Sequence, residues 1–252
     1  MKSAATRETF IEMLTTASRG SATKSTLPIL GNLLLQAEDG NTLRVTGTDL
    51  EVLISTEQAV HVLEPGEVSV PAKVLTDLVK AMPNGSMITI GTEGRNESRV
   101  TVSTEASRYS IYGTPADEYP MKINETPLDQ FTLRAYDLHL LLATVAVAMS
   151  NDDSRINLCG VHLDRSGSRL VAAATDTHRL AVNAATVAGD GYGDAIEATI
   201  PARVIKEIMR LFPGGDVVLT VSITKSQIVV TDNHTTVQGR IIEGQFPAYE
   251  NV

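Results

Sequence analysis

Residues 70–85, VPAKVLTDLVKAMPNG, return as IPARVIKEIMRLFPGG at 200–215. A chain that repeats itself over such a span is built to fold as a repeat, because each copy carries the same apolar pattern and can bury it in the same way. Three further blocks recur in the same order and at nearly the same separation: TFIEML (9–14) as YDLHLLL (136–142), VTGTDLEVLI (45–54) as AAATDTHRLAV (172–182), and EYP (118–120) as QFP (245–247). The chain therefore reads as two copies of one domain, 1–124 and 131–252, joined by the linker ETPLDQ at 125–130. A length of 252 residues gives each copy the size of an ordinary domain with its own core.

Within each copy the periodicity predicts two helices. Phe10, Met13, Leu14 and Ala17 fall at i, i+3, i+4 and i+7, as do Leu138, Leu141, Leu142 and Val145. The second pair is carried by Leu75, Leu78, Val79 and Met82, and by Ile205, Ile208, Met209 and Phe212. Each of these opens after a proline, Pro71 or Pro201, and stops at a Pro-Asn-Gly or Pro-Gly-Gly sequence. The remaining apolar stretches read as strands: LRVTGTDLEVLI, SMITIGTE, SRVTVSTE and SRYSIYG in the first copy, RLVAAATD, DVVLTVSI, SQIVVTD and TTVQGRII in the second. Alternation such as Val100-Thr101-Val102-Ser103 predicts antiparallel sheets buried on one face. The fold class is α+β, with two helices packed on antiparallel sheets in each of two tandem domains.

Composition narrows the function. With 21 basic against 30 acidic residues the formal charge is −9, so the chain is not coated in positive charge for nucleic acid or anionic lipid. Without Trp, and with only four Phe, stacking on bases is an unfavoured binding mode. The single cysteine, Cys159, has no internal partner and fits a reducing compartment. Met1–Arg7 does not lead into an apolar signal segment, and the run Leu138–Met149 is far short of the ~20 residues a membrane helix needs. A cytoplasmic protein is expected.

The segment ATDTHRLAV (174–182) holds Asp176, His178 and Arg179 within four positions and invites a catalytic reading. Repetition argues otherwise. Thr48-Asp49 stands where Thr175-Asp176 does, so the Thr-Asp pair reads as a polar turn shared by both copies, its aspartate accepting backbone N–H groups. His178 and Arg179 are specific to the second copy. No nucleophile elbow accompanies the histidine, the five histidines show no zinc-binding spacing, and the Gly-rich PNG and PGG follow helices instead of preceding them. No catalytic residue, metal site or cofactor is expected.

Taken together, STLPILGNLLL (25–35), TGTDLE (46–51), VPAKVLTDL (70–78), ATDTHRLA (174–181), IPARVIKEIMR (200–210) and EGQFPAYENV (243–252) resemble the bacterial DNA polymerase III beta subunits, the beta sliding clamps, along essentially the whole chain. The resemblance implies tandem DNA-clamp (processivity) domains whose helices line a hole for duplex DNA and whose sheets form the outside. It also implies a head-to-tail ring of six domains, three per chain. Two copies are present here and the third is absent, so the expectation is a shortened three-domain clamp that stays monomeric or associates weakly, in preference to a natural trimer.

The same resemblance implies two sites and no enzymatic activity. Lys24, Lys73, Lys80, Arg203, Lys206 and Arg210 would meet DNA phosphates without reading sequence. By pattern alone the basic rows read first as a solvated helix face, with Asp77 and Glu207 pairing within the helix, and it is the resemblance that turns them toward DNA. Leu158, Thr175, Thr177, His178, Arg179, Leu180, Pro247 and Val252 would wall an apolar pocket for a linear motif of the Gln-Leu-x-Leu-Phe type. Thr177 and Asn251 depart from the family pattern, which often has a smaller and a basic residue there. Implied partners are duplex DNA, DNA polymerase III, other motif-bearing replication and repair proteins, and the clamp loader. Competing readings are a two-domain peptide-binding adaptor that does not encircle DNA and a small-molecule hydrolase using Asp176 and His178.

Overall fold

Thr6 ends one strand and starts a helix: its hydroxyl accepts from the Thr9 N–H at 3.2 Å, satisfying a donor that the first helical turn leaves open. Two units organise around such junctions in a computed structural model that describes residues 1–93, 96–120, 125–189 and 196–251. They are Met1–Lys122 and Ile123–Val252.

In the first unit the elements run β1 (Lys2–Thr6), α1 (Arg7–Ser18), β2 (Asn32–Glu38), β3 (Thr42–Thr48), β4 (Val52–Ala59), β5 (His61–Glu64), β6 (Gly66–Pro71), α2 (Ala72–Ala81), β7 (Met87–Glu93), β8 (Asn96–Ser103) and β9 (Arg108–Tyr112). One antiparallel sheet has the order β5-β1-β7-β8-β9, and in the other β4, β3, β2 and β6 are successive neighbours. The helices lie on this framework through one core, in which Phe10, Met13, Leu14 and Ala17 of α1 and Leu75 and Val79 of α2 join Leu33, Leu35, Val45, Ile88, Ile90, Val100 and Val102. Gly47 lets α1 approach β3 closely. A Cβ there would stand 2.2 Å from the Ala17 carbonyl oxygen.

The second unit repeats the plan. Its elements are β10 (Asp129–Arg134), α3 (Ala135–Ala146), β11 (Gly160–Ser166), β12 (Arg169–Thr175), β13 (Leu180–Thr186), β14 (Ile196–Pro201), α4 (Ala202–Leu211), β15 (Val218–Ile223), β16 (Gln227–Thr231) and β17 (Thr235–Arg240). Here β10, β15, β16 and β17 are successive neighbours, and β13-β12-β11-β14 forms the other antiparallel sheet. Leu138, Leu141, Leu142 and Val145 of α3 and Ile205 and Ile208 of α4 are buried, as their spacing predicts; Val204, outside that spacing, is buried too, and Met209 is half-buried.

LRVTGTDLEVLI, expected as one strand, is two: a turn at Thr48–Val52 separates β3 from β4. Phe212, expected inside a helix, is the residue that ends α4. Of the segment expected to be a linker, Asp129 and Gln130 pair with Ile223 and Ser222 in β10, and Glu125 accepts from the Thr224 and Ser226 hydroxyls. Asp129 is buried and ion-paired with Arg165, whose guanidinium lies 5.3 Å from the Phe131 ring centroid. The segment is thus held by unit 2.

Candidate functional site

In the turn that joins β12 to β13, the Thr175 hydroxyl donates to the Arg179 carbonyl at 2.7 Å and accepts from the Thr177 N–H at 3.1 Å. One oxygen of Asp176 accepts from the N–H groups of His178 and Arg179, both at 3.0 Å, and the other accepts from Arg179 Nε at 2.9 Å. These backbone donors, reinforced by the guanidinium, hold the Asp176 carboxyl below the ordinary carboxylate range. The same hydrogen bonds recur at Thr48–Val52, where Asp49 accepts from the N–H groups of Glu51 and Val52. A third copy, unnoticed in the sequence, closes the β16–β17 hairpin: TDNHT (231–235) places Asp232 against the N–H groups of His234 and Thr235.

That third copy shows what the Asp-x-His spacing does to the backbone. His178 meets Asp176 through its backbone N–H, as His234 meets Asp232, so the carboxylate shapes the chain instead of orienting an imidazole. Burial, with Asp153 and Asp152 nearby, pushes the Cys159 thiol pKa up. Among the described residues, no group of three or more His, Cys, Asp or Glu could hold a metal ion. No helix among them is long and apolar enough to cross a membrane.

What the turn does build is a wall. Thr175, Thr177, His178, Arg179 and Leu180 face Pro247, Ala248 and Tyr249 across a cleft of about 280 Å³. Six of the eight residues expected at a pocket therefore line one cleft. Leu158 lies beneath it, buried with Ala173 and Phe246 and packed by Tyr249; Val252 falls outside the described residues. The Asp153–Leu158 turn, which joins α3 to β11, ties both walls: Arg155 Nη1 donates to Thr177 Oγ1 at 3.4 Å and Asn157 Nδ2 to the Gln245 carbonyl at 3.1 Å. The Tyr249 hydroxyl donates to Asp164 Oδ2 at 3.4 Å, and burial, with Asp164 adding to it, pushes the phenol up to about 12.

The basic candidates form rows. Arg203, Lys206 and Arg210 are exposed along α4, opposite the buried Ile205 and Ile208, and Lys73 and Lys80 are exposed on α2 opposite Leu75 and Val79. Lys24 is exposed on the loop that precedes Pro28–Gly31. The first helices differ. The exposed side of α1 carries Glu8 and Glu12, and that of α3 carries Tyr136 and Leu140.

Residues 1–124 match the N-terminal domain of the DNA polymerase III beta subunit, and 132–248 match its central domain. The beta sliding clamp of Escherichia coli K12 is 33% identical over 253 residues, an alignment that takes in 100% of this chain and 68% of the relative. The clamp of Pseudomonas aeruginosa, solved bound to griselimycin, superimposes with a TM-score of 0.92 at 30% identity, covering 100% of this chain and 67% of that one. The Caulobacter crescentus clamp gives a TM-score of 0.92 at 25% identity, with the same coverage.

The chain belongs to the beta sliding clamp family. Its tandem α+β units are clamp domains, and it is by descent a DNA-replication protein and a sliding clamp. In this clamp chain, the residues the sequence reading left out are Ala248 and Tyr249, which line the cleft, and Arg155, which ties its wall. The first two stand in the quoted FPAY motif beside Pro247, so adjacency was an available signal. Arg155 had none, because only the fold brings the Asp153–Leu158 turn to Thr177.

Proposed function

We propose that this clamp chain acts without catalysis, riding on duplex DNA through its second helices and docking partner peptides in the cleft of its second unit. The observation that carries the reading is the cleft: an apolar floor and wall of Leu180, Pro247, Ala248 and Tyr249, rimmed by Arg179 and His178, on a turn whose geometry is fixed by its own hydrogen bonds. Burying a leucine and a phenylalanine of an incoming Gln-Leu-x-Leu-Phe peptide supplies about 1.5–3 kcal/mol each. That range fits a micromolar complex that exchanges readily. The peptides would belong to DNA polymerase III, to other replication and repair proteins, and to the clamp loader, in the cytoplasm.

For DNA, the row Arg203, Lys206 and Arg210, together with Lys73, Lys80 and Lys24, supports phosphate contacts that carry no sequence information. An overall charge of −9 repels DNA from the rest of the surface.

The docking half is tested by fluorescence anisotropy with a labelled Gln-Leu-x-Leu-Phe peptide. Saturable micromolar binding is expected. Leu180→Ala and Pro247→Ala should each weaken it about tenfold, equivalent to about 1.4 kcal/mol. Undiminished binding in both variants, at native melting temperature, would remove the cleft from the assignment.

A further inference from the structure

His162 sits in β11 where Leu34 sits in β2. His162 pairs with Ala173 and Thr199, and Leu34 pairs with Thr46 and Ser69. Both side chains are buried, and both are covered by the aromatic residue of the EYP or QFP block, Tyr119 in one unit and Phe246 in the other. In unit 1 the covered side chain is aliphatic. In unit 2 it is an imidazole stacked flat on Phe246, with centroids 4.6 Å apart and planes 6° from parallel. Filling space needs no ring nitrogen, yet Nδ1 shares a hydrogen bond with Thr199 Oγ1 at 3.1 Å, which fixes the ring plane. Tyr249 meets the same imidazole edge-on at 6.0 Å. Between Phe246 and Tyr249 stand Pro247 and Ala248, which face the cleft.

We infer that His162 is a positioning residue for the cleft wall: the neutral imidazole holds Phe246 flat and Pro247–Tyr249 in place, and a proton on it releases the wall, so peptide docking weakens below neutral pH. The inference about docking rests on the reading of the cleft as a peptide site.

Charged and titratable groups face the imidazole from several elements. Glu197 of β14 brings Oε2 to 3.9 Å from His162 Nε2, Asp164 lies on β11 itself, and Tyr249 comes from the wall. Glu243 and Lys225 line, with His162 and Phe246, a hollow of about 440 Å³ behind the wall. Burial lowers the imidazole pKa from the ordinary 6.5, against the opposing pull of Glu197 and then Asp164. A depressed pKa means that the closed wall is fully favoured above the ordinary value and is lost as pH falls through the lowered one. The imidazolium must donate from both nitrogens. At 3.9 Å the Glu197 carboxylate is beyond hydrogen-bond reach of Nε2, so the cation and Glu197 must close on one another to pair, and a ring drawn toward Glu197 tilts off the Phe246 face.

The test is an NMR titration of the chain from pH 8 to pH 5. The Ala248 and Tyr249 amides should shift with the midpoint of the His162 ring protons, not that of His178, and should stay still in His162→Leu, which copies Leu34. Glu197→Gln should move that midpoint to lower pH. In parallel, affinity for the Gln-Leu-x-Leu-Phe peptide should fall fivefold or more between pH 7.5 and 5.5 in the parent and stay level in His162→Leu, with melting curves confirming that both fold. Wall amides that ignore pH, or that titrate equally in His162→Leu, would overturn the inference. Amides that follow His162 while no peptide binds at any pH would uphold the wall's dependence and sink only the docking reading.

Discussion

Thr177 adopts φ of +78°, in the left-handed region that a β-branched side chain rarely enters. The turn demands it, since the equivalent Leu50 and Asn233 have φ of +78° and +76°. Of the three, asparagine tolerates the conformation best. Replacing Thr177 by Gly should stabilise the unit by about 1 kcal/mol, the strain relieved less the entropy glycine loses, and Thr177→Asn should do so by a smaller margin. Both should keep the cleft open to peptide. Thermal unfolding at neutral pH checks this, and a lower melting temperature in both variants would show that the Arg155–Thr177 hydrogen bond outweighs the strain. At this scale the sequence was legible where residues repeat. The Thr-Asp turn could be read from two copies, whereas the buried His162 could not, because nothing in the run GVHLD distinguishes a stacked imidazole from one facing solvent.

Elements were legible where burial is one-sided. The four α-helices among the described residues follow from their apolar spacing, and α4 shows why: Ile205 and Ile208 are buried while Arg203, Lys206 and Arg210 are exposed. Strand β2 gave no alternation to read, since Asn32, Leu33, Leu34 and Leu35 are all buried and the two faces carry the same kind of residue. The division of β3 from β4 was hidden because Leu50 and Val52 continue the apolar run through a turn made by hydrogen bonds. The basic rows lead to a prediction at this scale. Reversing Arg203 and Arg210 to Glu should weaken binding to linear duplex and reduce the log–log salt slope by about 0.9 for each phosphate that is no longer neutralised. Arg169→Glu, at the β11–β12 turn, should leave both unchanged. A salt titration in which Arg169 mattered and α4 did not would move the DNA face off the helices.

For the molecule as a whole, duplication was the most informative signal, because it turned a single ambiguous motif into a comparison. Units Met1–Lys122 and Ile123–Val252 share their sheet orders around a pair of helices each, with β5 flanking β1 in the first, and among the described residues it is the second that sets Arg179 and His178 on its turn with Pro247, Ala248 and Tyr249 opposite. On the proposed reading, peptide docking belongs to one copy of a shared scaffold. That asymmetry is the central claim, and hydrogen–deuterium exchange with and without saturating Gln-Leu-x-Leu-Phe peptide tests it directly. Protection should appear at 174–181 and 245–250, with none at the matching turn 47–54 of the first unit. Protection at 47–54, or none at 174–181 under saturation, would contradict the account.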